Sequence, residues 1–496
     1  MIRATCQAMN RKLPLLCFAV VVIFASAIGA RAQSGQPTTN AFPSRRFSAG
    51  AATSVITPRL GVSINGHFND RVAKHIHDEL HARCLVLNDG QTRLAIVVCD
   101  SCMIPRTVMD AAKLLIQQRT GILAESVLIS ATHTHSGPTC TGVFQSEPDA
   151  EYQRFLVERI ADGVQRAVNQ VAPAKIAWGV GKEPSQVFNR RWRMKPGAIP
   201  ANPFGGTNDL VRMNPPVESP ELVEPAGPTD PDVSVLAIQS LEGKPVALLA
   251  NYSLHYVGGV PGTDISADYF GEFCERISQL LGADAQEPPF VAMLANGTSG
   301  DINNINFRQK QPAKKPYEQI NIVADAVARE AQRVYQEMKF LDWVPLGVAQ
   351  KEIQLGVRLP DEAEMKRAEE ILTKAKGREL RGSEEIYARE TLLMKDYPRE
   401  VPLIIQAMRI GDLGIAAIPC EVFAEIGLEI KARSPFKPTF TFELANGYNG
   451  YLPTPEHHKL GGYETWRARS SYLEVGAAPR ITTELLGLLR QVKEPF

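Results

Sequence analysis

The sequence predicts an α/β fold in which a mixed, largely buried β-sheet is flanked by helices. Short apolar, β-branched runs such as LAIVVCD (94–100) and SVLISAT (126–132) alternate with longer segments in which apolar residues recur with the helical period. A strand that is buried on both faces lacks the polar–apolar alternation of a surface strand, and these runs lack it. The composition agrees with a globular protein, since 44% of the 496 residues are hydrophobic and 22% are charged.

The remaining elements follow in chain order. Amphipathic helices are predicted at TVMDAAKLLIQQRTG (107–121) and AEYQRFLVERIADGVQRAVNQ (150–170), on either side of SVLISAT. Five further apolar runs are predicted strands: KPVALLANY, PFVAMLANG, LIIQAMRI, LGIAAIP and PTFTFEL.

Residues 361–396 are charged, as in EMKRAEEILTKAK, which indicates a solvated helical hairpin inserted on the outside of the domain. Pro196–Pro231 reads as a long loop, and long ordered loops are often functional. No internal repeat or linker is recognisable, so we expect one domain over residues 47–496.

The N-terminal segment has the pattern of an export signal. Basic residues precede the apolar stretch LPLLCFAVVVIFASAIGA, which is followed by the A-x-A site Ala30–Ala32. We therefore expect a signal peptide over residues 1–32, cut after Ala32, and a flexible polar lead-in over residues 33–46. The alternative is an uncleaved N-terminal anchor. No later run approaches the ~20 apolar residues of a membrane span, so the expected location is secreted or periplasmic.

Charge and cysteine content exclude some function classes. Lys+Arg and Asp+Glu are equal at 54 each, so the chain lacks the basic excess that a nucleic-acid partner requires. Six cysteines follow the predicted cleavage site at irregular spacing. Cys99 and Cys102 form a C-x-x-C at the end of an apolar strand, where buried structural thiols are favoured over a redox pair.

Polar side chains that can bind a metal or a substrate follow five of the predicted strands. Ligands of open α/β sheets bind beyond the carboxyl ends of the strands, so we expect these groups at one edge. They are, in chain order, His133-Thr-His135, His255, Thr298-Ser-Gly-Asp301, Cys420-Glu421 and the segment Ala445–Tyr451.

The histidines and Glu421 suggest a metal site. His133 and His135 are two residues apart, so both side chains can enter one pocket from an extended segment. His133, His255 and Glu421 would supply two imidazoles and a carboxylate, a set that suits Zn²⁺ and leaves a position open. A lone H-x-H is equally compatible with structural histidines, His255 alone with a hydrogen-bonded core residue, and Glu421 alone with an acid at a helix N-terminus. The occurrence of all these residues at successive strand ends favours a metal site over the separate structural roles.

Nine short motifs in a fixed order carry a family resemblance. They are AGAATSVITP, HDELHARCLVL, SATHTHSGP, FNRR, NYSLH, ISADYFG, GTSGDIN, AIPCE and LANGYNGYLPT. Together they resemble the neutral/alkaline non-lysosomal ceramidase family of zinc amidases. The resemblance implies one catalytic Zn²⁺ with four ligands: His133, His255, Glu421 and Tyr451. It also implies that Tyr463 helps to bind the reacting carbonyl and that His135 and Arg190 are the other polar groups around the metal. On this basis we expect His135 to transfer protons, and Arg190 and Tyr463 to stabilise the oxyanion.

Two departures from the family bear on the substrate. The family reads G-D-V-S-P-N where this chain reads GDINNI (300–305), so Asn303 stands in the place of the serine implicated in catalysis. A carboxamide is no nucleophile, but Asn303 could orient the water or hydrogen-bond the substrate. Family members also carry a further β-sandwich domain, whereas this sequence ends shortly after TTELLGLLRQV.

The expected function is that of a secreted zinc-dependent amidohydrolase that cleaves an N-acylated, ceramide-like sphingolipid with a zinc-activated water. One alternative is a zinc esterase or deacylase for another acylated substrate, with the Pro196–Pro231 loop deciding between them. The other is a catalytically silent binding protein, against which the retention of His135, Arg190 and Tyr463 argues. The partner implied is a small-molecule or lipid N-acyl substrate, with transient contact to a membrane surface; no protein partner is implied.

Overall fold

The core strands form an eight-stranded and a four-stranded sheet, built from three units of the same topology. The structure is a computed structural model that describes residues 46–375 and 377–494. The predicted signal peptide and residues 33–45 of the predicted lead-in lie outside the described residues. In each unit three antiparallel strands are followed by a helix, a fourth strand parallel to the third, and a second helix.

The first unit contains strands β1–β4 and helices α1 and α2. Strand β2 pairs antiparallel with β1 and β3, and β4 pairs parallel with β3. The elements are β1 Ser48–Val55, β2 His81–Asn88, β3 Arg93–Cys99, α1 Arg106–Thr120, β4 Val127–Ala131 and α2 Ala150–Asn169.

The second unit repeats this order with strands β5–β8 and helices α3 and α4. Strand β6 pairs antiparallel with β5 and β7, and β8 pairs parallel with β7. Its elements are β5 Ala172–Lys182, β6 Asp232–Ser240, β7 Pro245–Tyr252, α3 Asp268–Leu280, β8 Val291–Asn296 and α4 Glu318–Glu337. Strands β1 and β5 pair only at Ser48↔Pro173 and Ala49↔Ala172, so the eight-stranded sheet consists of two halves with a short junction.

The third unit forms the four-stranded sheet and carries the extra helices α5, α6 and α8. Strand β10 pairs antiparallel with β9 and β11, and β12 pairs parallel with β11. The elements are β9 Leu346–Gly356, α5 Glu362–Ala375, α6 Gly382–Leu393, β10 Glu400–Ile410, β11 Leu413–Ala417, α7 Ala424–Arg433, β12 Thr439–Phe442, α8 Pro455–Leu460 and α9 Ala477–Lys493. The structure differs here from the sequence analysis, which recognised no repeat.

The inner faces of the sheets share one apolar core, and helices cover the outer faces. Leu85 and Leu87 of β2 lie in the shared core with residues of both other units, whereas Cys84 and Val86 pack against the layer of α1 and α2. Helices α3 and α4 cover the second unit and α7 and α9 cover the third. Both faces of the strands are therefore buried, which explains the unbroken apolar runs. The α/β class is confirmed, although three predicted strands belong to the second sheet: LIIQAMRI, LGIAAIP and PTFTFEL.

Short elements occupy the segments between the main strands. The two- to four-residue strands are Ser63–Ile64, Arg71–Val72, His75–Ile76, Phe188–Asn189, Arg191–Met194, Val211–Met213, Leu222–Pro225, Asp264–Ile265, Ile302–Asn303, Glu421–Val422 and Tyr451–Leu452. Single 3-10 turns lie at Ala124–Ser126, Pro184–Gln186, Met394–Asp396 and Tyr463–Thr465. The Pro196–Pro231 loop is thus interrupted by two short strands, which pair with Arg191–Met194.

Two further expectations can be compared with the structure. The hairpin predicted at 361–396 is present as α5 and α6, but α6 is not fully solvated, because Ile386 and Tyr387 are buried. All six described cysteines are buried and unpaired, as expected of structural thiols. Across the part of the chain that the structure describes, no helix is long and apolar enough to cross a membrane.

Candidate metal centre and active site

The carboxyl ends of the parallel strands meet at one end of the core. Ser130 at the end of β4 forms a β-bridge with Ala445, which follows β12. The Glu443 amide, also after β12, donates to the Asn296 carbonyl at the end of β8, over 3.3 Å. The segments after these strands therefore pack together, as the sequence analysis expected.

Three buried side chains converge there, one from each unit. His133 follows β4, His255 follows β7 and Glu421 follows β11, and none is more than 2% exposed. His133 Nε2 lies 3.0 Å from His255 Nε2 and 3.2 Å from Glu421 Oε2, and His255 Nε2 lies 3.8 Å from Glu421 Oε2. These three atoms form a cluster that could hold a metal ion.

Backbone carbonyls orient the two imidazoles. His133 Nδ1 donates to the Cys102 carbonyl over 2.8 Å, and His255 Nδ1 donates to the Ser299 carbonyl over 3.1 Å. Both Nε2 atoms are thereby left to face the cluster, which is the usual arrangement of metal-binding histidines. His133 adopts a left-handed backbone conformation with φ 74°, a strained geometry that concentrates at functional sites.

The ligand atoms fit a zinc ion. Glu421 Oε1 accepts a hydrogen bond from Tyr448 over 3.0 Å, but the buried Glu421 Oε2 has no hydrogen-bond partner within the described part of the chain. Tetrahedral coordination with Zn–N near 2.0–2.1 Å places ligand atoms about 3.3 Å apart, close to the spacing of His133 with its two neighbours. Burial, together with the charge of Arg190, lowers the pKa of His255, which favours the neutral imidazole that a metal requires.

Cys102, His133 and His135 form a second group of possible ligands. The Cys102 thiol lies 3.8 Å from Nδ1 of His133, on the side of the ring whose nitrogen already donates to the Cys102 carbonyl. His135 lies at Nε2, on the other side of the ring. The group of His133, His255 and Glu421 is therefore the better metal site.

His135 lies beside the cluster. Its Nε2 is 3.1 Å from His133 Nε2, its ring stacks on Tyr256 with centroids 3.7 Å apart, and its Nδ1 has no hydrogen-bond partner among the described residues. Burial and the neighbouring His133 and His255 rings hold the pKa of His135 well below its usual value. Its ring is therefore neutral.

Arg190 connects several walls of the site. Its Nη2 donates to the Tyr451 hydroxyl over 3.1 Å and to the Gly300 carbonyl over 2.8 Å, and its Nε donates to Glu464 over 2.9 Å. Glu464 also binds Arg191, at 2.5 Å. A buried guanidinium held from three directions keeps a fixed orientation.

The two predicted tyrosines complete the site. The strand Tyr451–Leu452 pairs in parallel with Glu421–Val422, so that Tyr451 is the backbone partner of Glu421. Tyr463 packs edge-to-face against Tyr451, with centroids 5.7 Å apart. A cavity of about 20 Å³ lies beside these groups, and the residues that line it include His133, His135, Glu421, Tyr448, Tyr451 and Tyr463.

Asn303 is not brought to this cavity. Its Nδ2 donates to Asn214 Oδ1 over 2.6 Å, and its Oδ1 accepts from the Ile305 amide over 2.9 Å. No described contact joins its side chain to His133, His255 or Glu421. Asn303, which occupies the position of the family serine, therefore contacts loop residues and not the candidate ligands.

Sequence reasoning missed several residues that hold the site together. Tyr448 binds Glu421, Glu464 binds Arg190, Glu443 binds Ser299, and Tyr256 stacks on His135. Two of these residues could have been recognised in the sequence: Tyr448 from the repeated N-G-Y, and Glu464 from its position next to Tyr463. No sequence pattern marks Glu443 or Tyr256.

A larger cleft of about 830 Å³, lined by residues of α3 and the segment 76–83, contains none of the three ligand residues.

The fold and the site define an α/β protein with a buried candidate metal centre. Residues 47–311, more than half of the chain, match the family model described as neutral/alkaline non-lysosomal ceramidase, N-terminal. The chain belongs to the neutral/alkaline non-lysosomal ceramidase family, which confirms the resemblance found in its motifs.

Known relatives agree with this assignment. The chain is 27% identical over 264 residues to neutral ceramidase B and 24% identical over 267 residues to neutral ceramidase A, both of Dictyostelium discoideum. These alignments cover 49% and 50% of this chain and 33% of each relative, so the matched region spans about a third of the relatives' length.

Solved structures share the fold. The neutral ceramidase of Pseudomonas aeruginosa superposes with a TM-score of 0.68 at 17% identity, over 90% of this chain and 74% of that one. A ceramidase complexed with C2 gives a TM-score of 0.67, also at 17% identity, over 90% of this chain and 75% of the other.

Proposed function

We propose that this chain is a zinc-dependent amidase that hydrolyses the amide bond of a ceramide-like N-acyl lipid. The observation that carries the proposal is the convergence of His133, His255 and Glu421 from three structural units, with a buried carboxylate oxygen left unpartnered. Tyr451 is proposed as a fourth ligand, because it lines the same cavity and is the backbone partner of Glu421. Family membership supports amide hydrolysis.

The chemistry divides between the ion and His135. A bound Zn²⁺ supplies a Lewis acid and lowers the pKa of water to about 7, so no serine nucleophile is required. His135 is neutral, half-buried and adjacent to the ligand atoms. It accepts a proton at its ring nitrogen and later returns a proton to the leaving amine.

Arg190 and Tyr463 stabilise negative charge on the carbonyl oxygen. Arg190 is fixed by Glu464 and Gly300, and its Nη2 points to the Tyr451 hydroxyl at the cavity wall. Burial, reinforced by the Glu421 carboxylate, raises the pKa of Tyr463, so its hydroxyl stays protonated and can donate. One such donor typically lowers a barrier by roughly 3–4 kcal/mol.

An apolar cavity beside Tyr463 supports a substrate with a hydrocarbon group. It has a volume of about 160 Å³ and shares Tyr463 with the metal cavity. Its walls include apolar residues of the Pro196–Pro231 segment and of neighbouring loops, namely Phe68, Ile199, Pro200, Val211, Met213 and Trp466. A cavity of about 150 Å³ holds benzene, so this one accommodates several carbons of a lipid chain.

Export and contact with lipid are part of the proposal. The basic residues, apolar stretch and A-x-A site of the first 32 residues support cleavage after Ala32 and a secreted or periplasmic enzyme. An N-acyl lipid substrate resides in membranes, so the enzyme would touch a membrane surface transiently. N-terminal sequencing of the exported protein should give Gln33 as the first residue; an intact Met1 would contradict export by cleavage.

The test compares amide and ester turnover on matched substrates. The purified protein should release fatty acid from N-acylsphingosine, and His133→Ala should lose both turnover and zinc. His457→Ala is a matched control, because it removes another buried histidine outside the ligand cluster; this variant should keep its zinc. Cleavage of the O-acyl ester with no cleavage of the amide would contradict the proposal.

A further inference from the structure

We infer that Glu443 is a positioning residue that fixes the His255 and Glu421 segments relative to each other for metal binding. The inference rests on the proposed zinc site. Glu443 follows β12 in the third unit, and its side chain is fully buried. Its described side-chain hydrogen bonds run to Ser299 and Val422 and not to a ligand side chain, so it acts through other groups.

The Glu443 carboxylate binds two segments at once. Its Oε1 accepts from the Ser299 hydroxyl over 2.6 Å, and its Oε2 accepts from the Ser299 amide over 3.1 Å and the Val422 amide over 2.8 Å. The Ser299 carbonyl in turn accepts from His255 Nδ1, and Val422 directly follows Glu421. One side chain thus controls the orientation of a ligand from the second unit and a ligand from the third.

The two segments that Glu443 binds are also in close backbone contact. The Gly300 amide donates to the Val422 carbonyl over 2.8 Å, and a Cβ on Gly300 would lie only 2.6 Å from the Glu421 carbonyl oxygen. The Glu443 amide itself is bonded to Asn296 at the end of β8. Displacement of the Glu443 side chain would therefore shift the Ser299 carbonyl and the Glu421 segment together.

Three hydrogen bonds account for a carboxyl group at this buried position. Burial raises the pKa of Glu443 to about 8, while the hydrogen bonds from Ser299 and Val422 oppose that rise. An apolar residue of similar size would avoid the cost of desolvation, but it would leave three donors unsatisfied. Partners that orient metal ligands commonly contribute 10–100-fold to metal affinity.

The experiment measures zinc affinity in full-length Glu443→Gln by competition with a chelating dye. Glutamine keeps the shape and can still accept the two amide hydrogens, but its amide nitrogen cannot accept the hydrogen bond from the Ser299 hydroxyl. We expect zinc binding to weaken 10–100-fold. In the cobalt-substituted protein, the visible absorption spectrum should change, because that spectrum reports the geometry of the ligands.

Asp89→Asn is the matched control. Asp89 is also buried, and its carboxylate accepts the amides of Gln91, Thr92 and Leu346 over 2.7–2.9 Å. It lies between β2 and β3, at the amino end of β3, whereas His133 and its partner Cys102 follow the carboxyl ends of β4 and β3. Its variant should lose stability without a change in zinc affinity or cobalt spectrum.

Two results would overturn the inference. The first is a folded Glu443→Gln with native zinc affinity and a native cobalt spectrum. If that variant does not fold, zinc affinity is measured in Ser299→Ala. This substitution removes one of the three hydrogen bonds to Glu443 and keeps the backbone carbonyl that binds His255. Native zinc affinity in Ser299→Ala is the second result that would overturn the inference. Failure of the wild-type protein to bind zinc would instead contradict the proposed function.

Discussion

Gly66 offers a way to displace His135 without touching a metal ligand. Gly66 has φ +95° and lies against the His135 ring. In Gly66→Ala, the new Cβ would lie 2.5 Å from His135 Nδ1 and 2.8 Å from His135 Cβ, and closer still to Cγ. The ring also stacks on Tyr256, so it cannot move without disturbing that contact.

The size of the effect follows from this geometry. Ordinary contacts of a Cβ begin near 3.4 Å, so the His135 ring must move by about 1 Å. A displacement of about 1 Å in a catalytic group can cost roughly 100-fold in rate. Alanine with positive φ adds about 1–2 kcal/mol of backbone strain, which lowers the free energy of unfolding. The turnover number should therefore fall about 100-fold while zinc content stays native.

The assay pairs fatty-acid release from fluorescent N-acylsphingosine with metal analysis of the same samples. Gly61→Ala is the control, because Gly61 has φ +89° but no atom within 4 Å of its added Cβ. That variant carries the strain without the clash, so it should keep native turnover. Equal turnover in the folded Gly66→Ala and Gly61→Ala proteins would refute the role of His135.

Three further outcomes are expected. His133→Ala and Glu421→Ala should each lose both zinc and activity, whereas Asn303→Ala should keep its zinc. Metal analysis of the purified variants checks this. Full metal content in His133→Ala would refute the ligand assignment. Tyr463→Phe should lower the turnover number about 10²–10³-fold with little change in KM, because it removes one donor to the oxyanion. Burial raises the pKa of Asp268 from 3.8 to about 6. Between those pH values the folded state holds a proton that the unfolded chain has lost, so the free energy of unfolding falls by about 1.4 kcal/mol per pH unit from this group. Urea unfolding of Asp268→Asn should lack this contribution, and an unchanged slope would contradict it.

The sequence was sufficient to predict that the candidate ligands His133, His255 and Glu421 lie together, because each follows an apolar run that predicts a buried strand. The pairing of those strands could not be predicted. Strands β5 and β6 are separated by 49 residues of irregular sequence (183–231), and β9 and β10 by a helical hairpin. An apolar run without polar–apolar alternation does not indicate which strand it pairs with or in which register. The division into three units therefore emerged only from the structure.

The role of Glu443 could not be predicted for a related reason. Glu443 directly precedes a segment that turns sharply, with positive φ at Leu444 and Asn446. The direction of a side chain in such a turn depends on tertiary contacts and not on a period of two or 3.6 residues. Tyr451, by contrast, was assigned from a motif, and its pairing with Glu421 gives that assignment a structural basis.

The central claim is that zinc at the His133, His255 and Glu421 cluster supports amide hydrolysis without the family serine. The most direct test is fatty-acid release from a fluorescent N-acylsphingosine by the purified protein, before and after treatment with a zinc chelator and again after zinc is restored. We predict release that the chelator abolishes and zinc restores. Absence of release from fully zinc-loaded protein, or release that persists after the metal is removed, would contradict the claim.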